Sequence, residues 1–163
     1  MATIQFKKGD EYLTKISRLD RRLKENVLGK AIYGAADIVA NSVRTSLQSV
    51  PTDERWGTQN SPTTGPKKMQ KKGLYDSLGI APMQDDGTGY VNVKIGFDGY
   101  NEVSTKQWPQ GQPNQMVARS IERGTSYMQA NPFMKKAVSK AKKAAVDHMK
   151  KTVDTEIEKT MKG

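Results

Sequence analysis

The sequence contains no cysteine and a single histidine, His148. Without cysteine there is no disulfide framework and no thiolate site. A lone histidine with no carboxylate cluster beside it cannot head a zinc site. Apolar residues make up only 35% of the chain, and no apolar run reaches membrane-spanning length or resembles a secretion signal. We expect a protein assembled in a reducing cytoplasm, with no cofactor, metal or membrane partner.

Patterns typical of catalysis are also scarce. The run Gly87-Thr88-Gly89 lacks the third glycine and the following helix of a dinucleotide-binding loop. Gly65 is followed by a proline, which has no N–H to offer a phosphate. No serine lies in a nucleophile elbow. We predict that the chain is not an enzyme; a hydrolase whose site the sequence does not reveal is the outlying alternative.

At 163 residues the chain is long enough for one modest core, so we expect a single domain over 1–163. Its net charge of +10 favours polyanionic neighbours, nucleic acid first among them. The surplus is spread along the chain, however, and forms no reader motif. Lysine-rich, solvated helix faces are the simpler interpretation.

Residues 9–49 have apolar side chains at steps of three to five, which predicts helix. One straight helix of that length would reach roughly 60 Å. We therefore expect a break near Arg21 to Glu25 or at Gly29. Pro51 should end the helix, because the residue before a proline is driven out of the α region.

The segment 50–73 has no hydrophobic period and is rich in proline, glycine and small polar residues, so we predict an extended basic loop. Such a long loop is either disordered or functional. It is a candidate interface arm, because aromatic side chains are enriched at interface cores. Its candidate contact residues are the anchor Trp56 and the lysines Lys67, Lys68, Lys71 and Lys72.

Residues 74–98 carry the β pattern. Val91, Val93, Ile95 and Phe97 alternate with more polar neighbours, as in a strand with one buried face. Leu78 and Ile80 begin a partner strand, and residues 85–89 form the turn between them. Pro82 places this partner at the sheet edge. The chain should therefore be α+β, with long N- and C-terminal helical segments packed on a small antiparallel sheet.

The clearest signals for the end of one helix and the start of the next lie at residues 115–138. Gly124 stands where a helix should end, in a left-handed conformation. Asn131 and Pro132 should open the next helix, the first as cap and the second at the first helical position. This short turn should connect two helices closely, which is a structural role rather than a catalytic one.

The last helix, from 132 to about 160, has apolar residues mostly four apart. Each step of four turns the stripe by roughly 40° around the axis. Val153, Ile157 and Met161 should then face away from the core that holds the start of the helix. We predict that they seat this helix end on a neighbouring protein, with scattered surface apolar residues as the alternative.

Three segments resemble one protein family. They are GLYDSLGIAP at 73–82, VNVKIGFDGYN at 91–101, and IERGT followed by ANPFMKKAV within 121–138. In order and spacing they resemble the neck or tail-completion proteins of long-tailed bacteriophages, also described as minor tail components or head–tail joining proteins. Together they cover about two-thirds of the chain.

The resemblance implies a structural virion protein that forms a ring, of six subunits, between head and tail and around the DNA exit channel. Its partners would be itself, the head-closure or adaptor proteins, the tail-terminator protein and, non-specifically, genomic DNA. Two alternatives stay open. The chain could be the adjacent tail-terminator ring, or a basic nucleic-acid-binding protein that uses the last helix and the lysines of 67–72.

Overall fold

The computed structural model describes residues 1–6, 21–85 and 91–162. Over these ranges the fold is α+β, as the sequence predicts, with four helices around one small antiparallel sheet. The helices are α1 (Arg21–Gln48), α2 (Lys68–Ser77), α3 (Asn114–Arg123) and α4 (Phe133–Lys162). The strands are β1 (Ala2–Phe6), β2 (Leu78–Ile80), β3 (Gln84–Asp85) and β4 (Val91–Phe97).

The most extensive packing joins α1 to α4, which run antiparallel. Ser46 Oγ donates to the Phe133 carbonyl oxygen at one end, and Lys30 Nζ pairs with Glu156 at the other. Alanines along α1 are buried, and Gly34 lies so close to the His148 ring that no Cβ would fit between them. Small residues thus let the two backbones approach along their whole length.

This pairing corrects the predicted orientation of the last helix turns. Val153 is 0% exposed and belongs to the core of its own chain, and Ile157 packs against that core. The apolar side chains of α4 point in directions that turn gradually around the helix, and they stay buried because α1 lies beside α4 near both of its ends. A single flat sheet would not cover such a stripe, but a long partner helix does. The side chain of Met161 lies outside the described residues.

The sheet is built around β4, with β1 on one side and β2 and β3 on the other. Val91, Val93 and Ile95 are buried on one face, as their alternation predicts. Ile80 pairs with Ile95 and Gln84 with Asn92, so residues 81–83 lie opposite only two residues of β4. This is a β-bulge, and Pro82 lies in it at the sheet edge, where no ladder hydrogen bond is lost.

Two further expectations meet the structure differently. α1 runs unbroken from Arg21 through Gly29 to Gln48, so no break occurs at Gly29. α1 begins at Arg21, and the expected break near Arg21 to Glu25 stays a prediction because the residues before it are not described. A helix tolerates an isolated glycine at a cost of only about 1 kcal/mol. The rest of the predicted first helix, 9–20, and the turn residues 86–89 lie outside the described residues. Of the described helices, none has the length and hydrophobicity needed to cross a membrane.

Candidate interaction surfaces

The loop between α1 and α2 is folded against the protein rather than extended. The Asp53 N–H donates to the Pro66 carbonyl oxygen at 3.0 Å, which closes the loop on itself. The Thr63 N–H donates to the Tyr127 carbonyl oxygen, and the Gln129 N–H donates to that of Thr63, both at 2.9 Å. These bonds tie residues 50–66 to the turn between α3 and α4. The predicted extended conformation is therefore wrong, because backbone hydrogen bonds hold the loop against the α3–α4 turn. Its role as an interface arm stays a prediction.

An ion pair orders the start of this loop. Arg55 Nε and Nη2 contact the two carboxylate oxygens of Asp53 at 3.1 and 2.8 Å, and the Thr64 N–H donates to the same carboxylate at 3.2 Å. These hydrogen bonds, that from the Arg55 side chain first, hold the pKa of Asp53 well below its usual range. The arrangement clamps the loop, and with the bond from Arg55 Nη1 to Ser61 Oγ it engages one N–H on each guanidinium nitrogen.

The second half of the predicted loop is helical, since Lys68, Lys71 and Lys72 lie in α2 and Lys67 precedes it. Lys71 Nζ donates to the carbonyl oxygens of Gln48 and Val50, each at 2.8 Å, and so caps the end of α1. Lys72 pairs with Asp76 one turn later.

Lys67 Nζ reaches the Glu54 carbonyl oxygen and lies 4.3 Å from the centroid of the Trp56 ring. Together with Lys71 and Lys72, three of the four lysines of the 67–72 cluster therefore serve intramolecular contacts. The cluster is less available to an external polyanion than its sequence suggests.

Trp56 itself remains at the surface, with 68% of its area exposed. Beside it a cleft of about 300 Å³ extends to Tyr127, which is 55% exposed, and Met116, Val117 and Met128 line its floor. Tyr127 was not foreseen as a surface residue. The only sequence signal was an aromatic residue in a polar turn of six residues.

A second cleft, of about 410 Å³, lies along α2. Met69 from α2 and Tyr100 from the following connection line it, and both are exposed. α2 thus contributes residues to two clefts, each bordered by exposed large apolar side chains. We use the name apolar surface of α2 for five exposed side chains: Trp56 and Tyr127 at the first cleft, Met69 and Tyr100 at the second, and Tyr75 on α2 outside both clefts.

The turn between α3 and α4 depends on Gly124, as the sequence predicts, but in a different conformation. Its φ of 72° and ψ of 169° lie in a region that only glycine occupies readily, rather than in the left-handed helical region. The Gly124 N–H donates to the Ser120 carbonyl oxygen at 2.8 Å and closes α3. A Cβ at this position would lie 2.8 Å from the Ala130 nitrogen. Both the torsion angles and the space therefore require glycine.

The cap of α4 comes from Glu122, not from Asn131. The Glu122 carboxylate accepts the Met134 N–H at 2.8 Å and the Lys135 N–H at 3.0 Å. Asn131 contributes its backbone, since its N–H donates to the Ile121 carbonyl oxygen at 2.7 Å. Pro132 precedes the first residue of α4, and its carbonyl oxygen accepts the Lys136 N–H. An acidic residue two positions before the helix-ending glycine was the available signal, but capping across a turn is not a local pattern.

Within the described ranges, no group of three or more histidine, cysteine or acidic residues is placed to hold a metal ion. Comparison with known proteins finds no matching family model, no similar curated protein and no similar solved structure.

Proposed function

We propose that this chain is a structural subunit of a bacteriophage neck, forming a ring that joins the tail to the filled head and surrounds the DNA exit channel. The sequence resemblance supports this assignment. Its segments coincide with the central strand β4, with the α2–β2 junction and with the Gly124 turn. In this proposal the protein assembles in the host cytoplasm and is carried in the virion.

The observation that carries the proposal is the apolar surface of α2. Its five members are most of the large apolar side chains that are exposed among the described residues; only Met1 and Tyr33 lie elsewhere. Exposed aromatic and methionine side chains beside clefts are typical of surfaces that bind another protein. In a ring, each subunit presents such a surface to a different surface of the next copy.

The fold also suits a joining role. The loop 50–66 and the α3–α4 turn hold each other through paired backbone hydrogen bonds, so the residues that border the first cleft are fixed before assembly. Prearranged side chains lose less entropy on binding. A ring that must match both a head opening and a tail end benefits from such rigid contact surfaces.

Assembly of the purified protein tests the proposal. Light scattering after gel filtration and negative-stain imaging should reveal a closed ring. Trp56→Ala combined with Tyr127→Ala should shift the protein to smaller species, because aromatic anchors dominate interface energies. Tyr33→Ala, which truncates an aromatic residue of α1 far from the clefts, is the control and should leave the ring intact. Because the Tyr33 hydroxyl accepts the Met83 N–H, thermal melting should verify that this variant is folded.

Particles provide the second test. Phage carrying the double variant should accumulate filled heads and separate tails of normal length. Tails of abnormal length would favour the tail-terminator alternative, because that ring sets where tail growth stops. A protein that stays monomeric at all concentrations and joins no particles would contradict both assignments.

A further inference from the structure

A groove of about 570 Å³ lies between the C-terminal half of α1 and the N-terminal half of α4. One wall is a row of hydroxyl side chains from α1, and the other carries lysines of α4. We call it the lysine groove, and its defining residues are Ser42, Thr45, Ser49, Lys135, Lys136 and Lys140.

The charge of this groove is uncompensated. Its three lysines form no ion pair with any described residue. No acidic residue occurs anywhere from 123 to 146, and residues 133–146 carry five lysines. They contribute half of the net charge of +10. Part of the positive surplus is therefore concentrated in this segment of the chain, and three of its five lysines line the groove.

The hydroxyl groups on the α1 wall are polar, but their O–H protons are already donated within the protein. Ser42 Oγ donates to the Ala137 carbonyl oxygen and Thr45 Oγ1 to that of Asn41, at 2.9 and 3.0 Å. Ser49 Oγ donates to the Ser46 carbonyl oxygen at 2.8 Å. With their protons engaged, these groups cannot read a ligand specifically. Attraction in the groove comes from the ammonium groups, which act as mobile point charges.

The lysines also stand where helix stability does not favour them. Lys135 and Lys136 lie in the first turn of α4, where the helix dipole disfavours cations. The nearby Glu122 carboxylate is directed to the backbone N–H groups of Met134 and Lys135 and is not part of the groove. Residues that contradict a local stability rule tend to mark function.

We propose that the lysine groove binds the phosphate backbone of duplex DNA without reading its sequence. Lys136 and Lys140 are one turn apart, which sets their Cβ atoms about 5–6 Å from each other along the groove. Contacts of this kind are salt-sensitive and hold DNA without fixing its register. For its location the inference rests on the proposed function: in the neck, this face is the one directed at the DNA channel.

The test compares two triple variants of the full chain. In the groove variant, Lys135, Lys136 and Lys140 are each replaced by glutamine. In the control, Lys106, Lys150 and Lys151 are replaced, which removes the same charge at exposed positions outside the groove. Binding of a short fluorescein-labelled duplex is followed by anisotropy across a salt series, and the oligomeric state of each protein is measured in parallel.

We expect the groove variant to bind DNA at least ten-fold more weakly at low salt, with a salt slope shallower by about 2 to 3. The control should keep most of the affinity and the slope. The groove variant should melt no lower than the parent protein, because removing cations from a helix N-terminus is not destabilising. The loss can then be assigned to binding rather than to unfolding.

Equal affinities and slopes for the two variants would overturn the inference. So would a groove variant that binds DNA normally but fails to join particles, since that result would identify an acidic protein as the ligand. The two proposals can also fail separately. If no protein forms rings and only the groove variant loses affinity for DNA, the neck assignment fails, but DNA binding by the lysine groove is supported.

Discussion

The two ends of the α1–α4 helix pair are held together in different ways. At the end we call the turn end, α1 stops at Gln48, α4 starts at Phe133, and the loop 50–66 meets the α3–α4 turn through backbone hydrogen bonds. At the far end, the described contacts between the helices are the Lys30–Glu156 ion pair and the packing of buried side chains such as Val153. The turn end is held by backbone hydrogen bonds, whereas the far end is held by buried side chains.

Charge separates the two ends as well. Residues 133–146 of α4 have five lysines and no acid, whereas residues 147–162 have four of each. The cleft between Trp56 and Tyr127 and the lysine groove both belong to the turn end. The features that could bind partners therefore lie where backbone geometry is most constrained, and the balanced far end serves mainly to complete the core.

The largest expected effect comes from breaking the geometry of the turn end. Gly124→Ala would place a methyl group 2.8 Å from the Ala130 nitrogen at a φ of 72°. We expect a loss of about 2 kcal/mol or more in the free energy of unfolding, measured by urea denaturation. The loop 50–66 should also lose hydrogen-exchange protection, because its partner residues Tyr127 and Gln129 would shift.

Gly29→Ala is the matched control for that change. A Cβ at Gly29 meets nothing within 4 Å, and the residue lies inside α1. The same substitution should raise stability there by about 0.5–1 kcal/mol. Equal effects at the two glycines would show that the turn end is not geometrically constrained.

The second prediction breaks the packing of the far end. Val153→Ala removes two methyl groups from a fully buried site and should cost about 2 kcal/mol in unfolding free energy. Because Val153 is buried within a single subunit, the cost should appear in the isolated protein. Amides around this residue should be equally protected from exchange in the free and assembled states. Protection that arises only on assembly would revive the idea of a docking helix end.

Periodicity in the sequence predicts most of the regular elements. The alternation at Val91 to Phe97 gives β4, and the glycine at 124 gives the end of α3, because each pattern reflects burial or sterics at that place. The strand β1 was missed although Ala2 and Ile4 alternate with Thr3 and Gln5, because a short terminal strand is recognised only by its partner. α2 was missed because lysines and a glycine conceal its single buried leucine, Leu74.

The interaction surfaces are less predictable, since they depend on residues distant in sequence. Lys71 caps a helix that ends more than twenty residues earlier, so its role in the α1 terminus is invisible locally. The lysine groove needs α1 and α4 side by side. Trp56 could be singled out by residue type alone, but its neighbour Tyr127 is brought beside it only by the pairing of two loops.

A third, smaller effect is expected at the α4 cap. Glu122→Gln keeps an oxygen that can accept one N–H but removes the charge that faces the helix N-terminus. We expect a loss of about 1 kcal/mol in thermal or urea unfolding. Glu158→Gln on the exposed far part of α4 is the control and should change stability by less than about 0.5 kcal/mol. A loss at Glu158 as large as that at Glu122 would argue against a specific cap.

The smallest effect concerns acid and the clamp of the loop 50–66. Hydrogen bonds from Arg55 lower the pKa of Asp53 in the folded state, so this contribution is complete above the unfolded value of 3.8 and is lost as the pH falls below it. The Thr64 N–H, which donates to that carboxylate, should therefore lose exchange protection relative to a core amide such as that of Val43 once the pH drops below about 4. In Asp53→Asn the ratio of Thr64 to Val43 exchange protection should already be low at neutral pH and should not change with acid.

The far end also has a carboxyl group with a lowered pKa, Glu156 beside Lys30. The amides there belong to helix α4, so their protection does not depend on that carboxylate. A constant ratio of Thr64 to Val43 protection between pH 6 and pH 3 in the parent protein would mean that the ion pair does not order the loop.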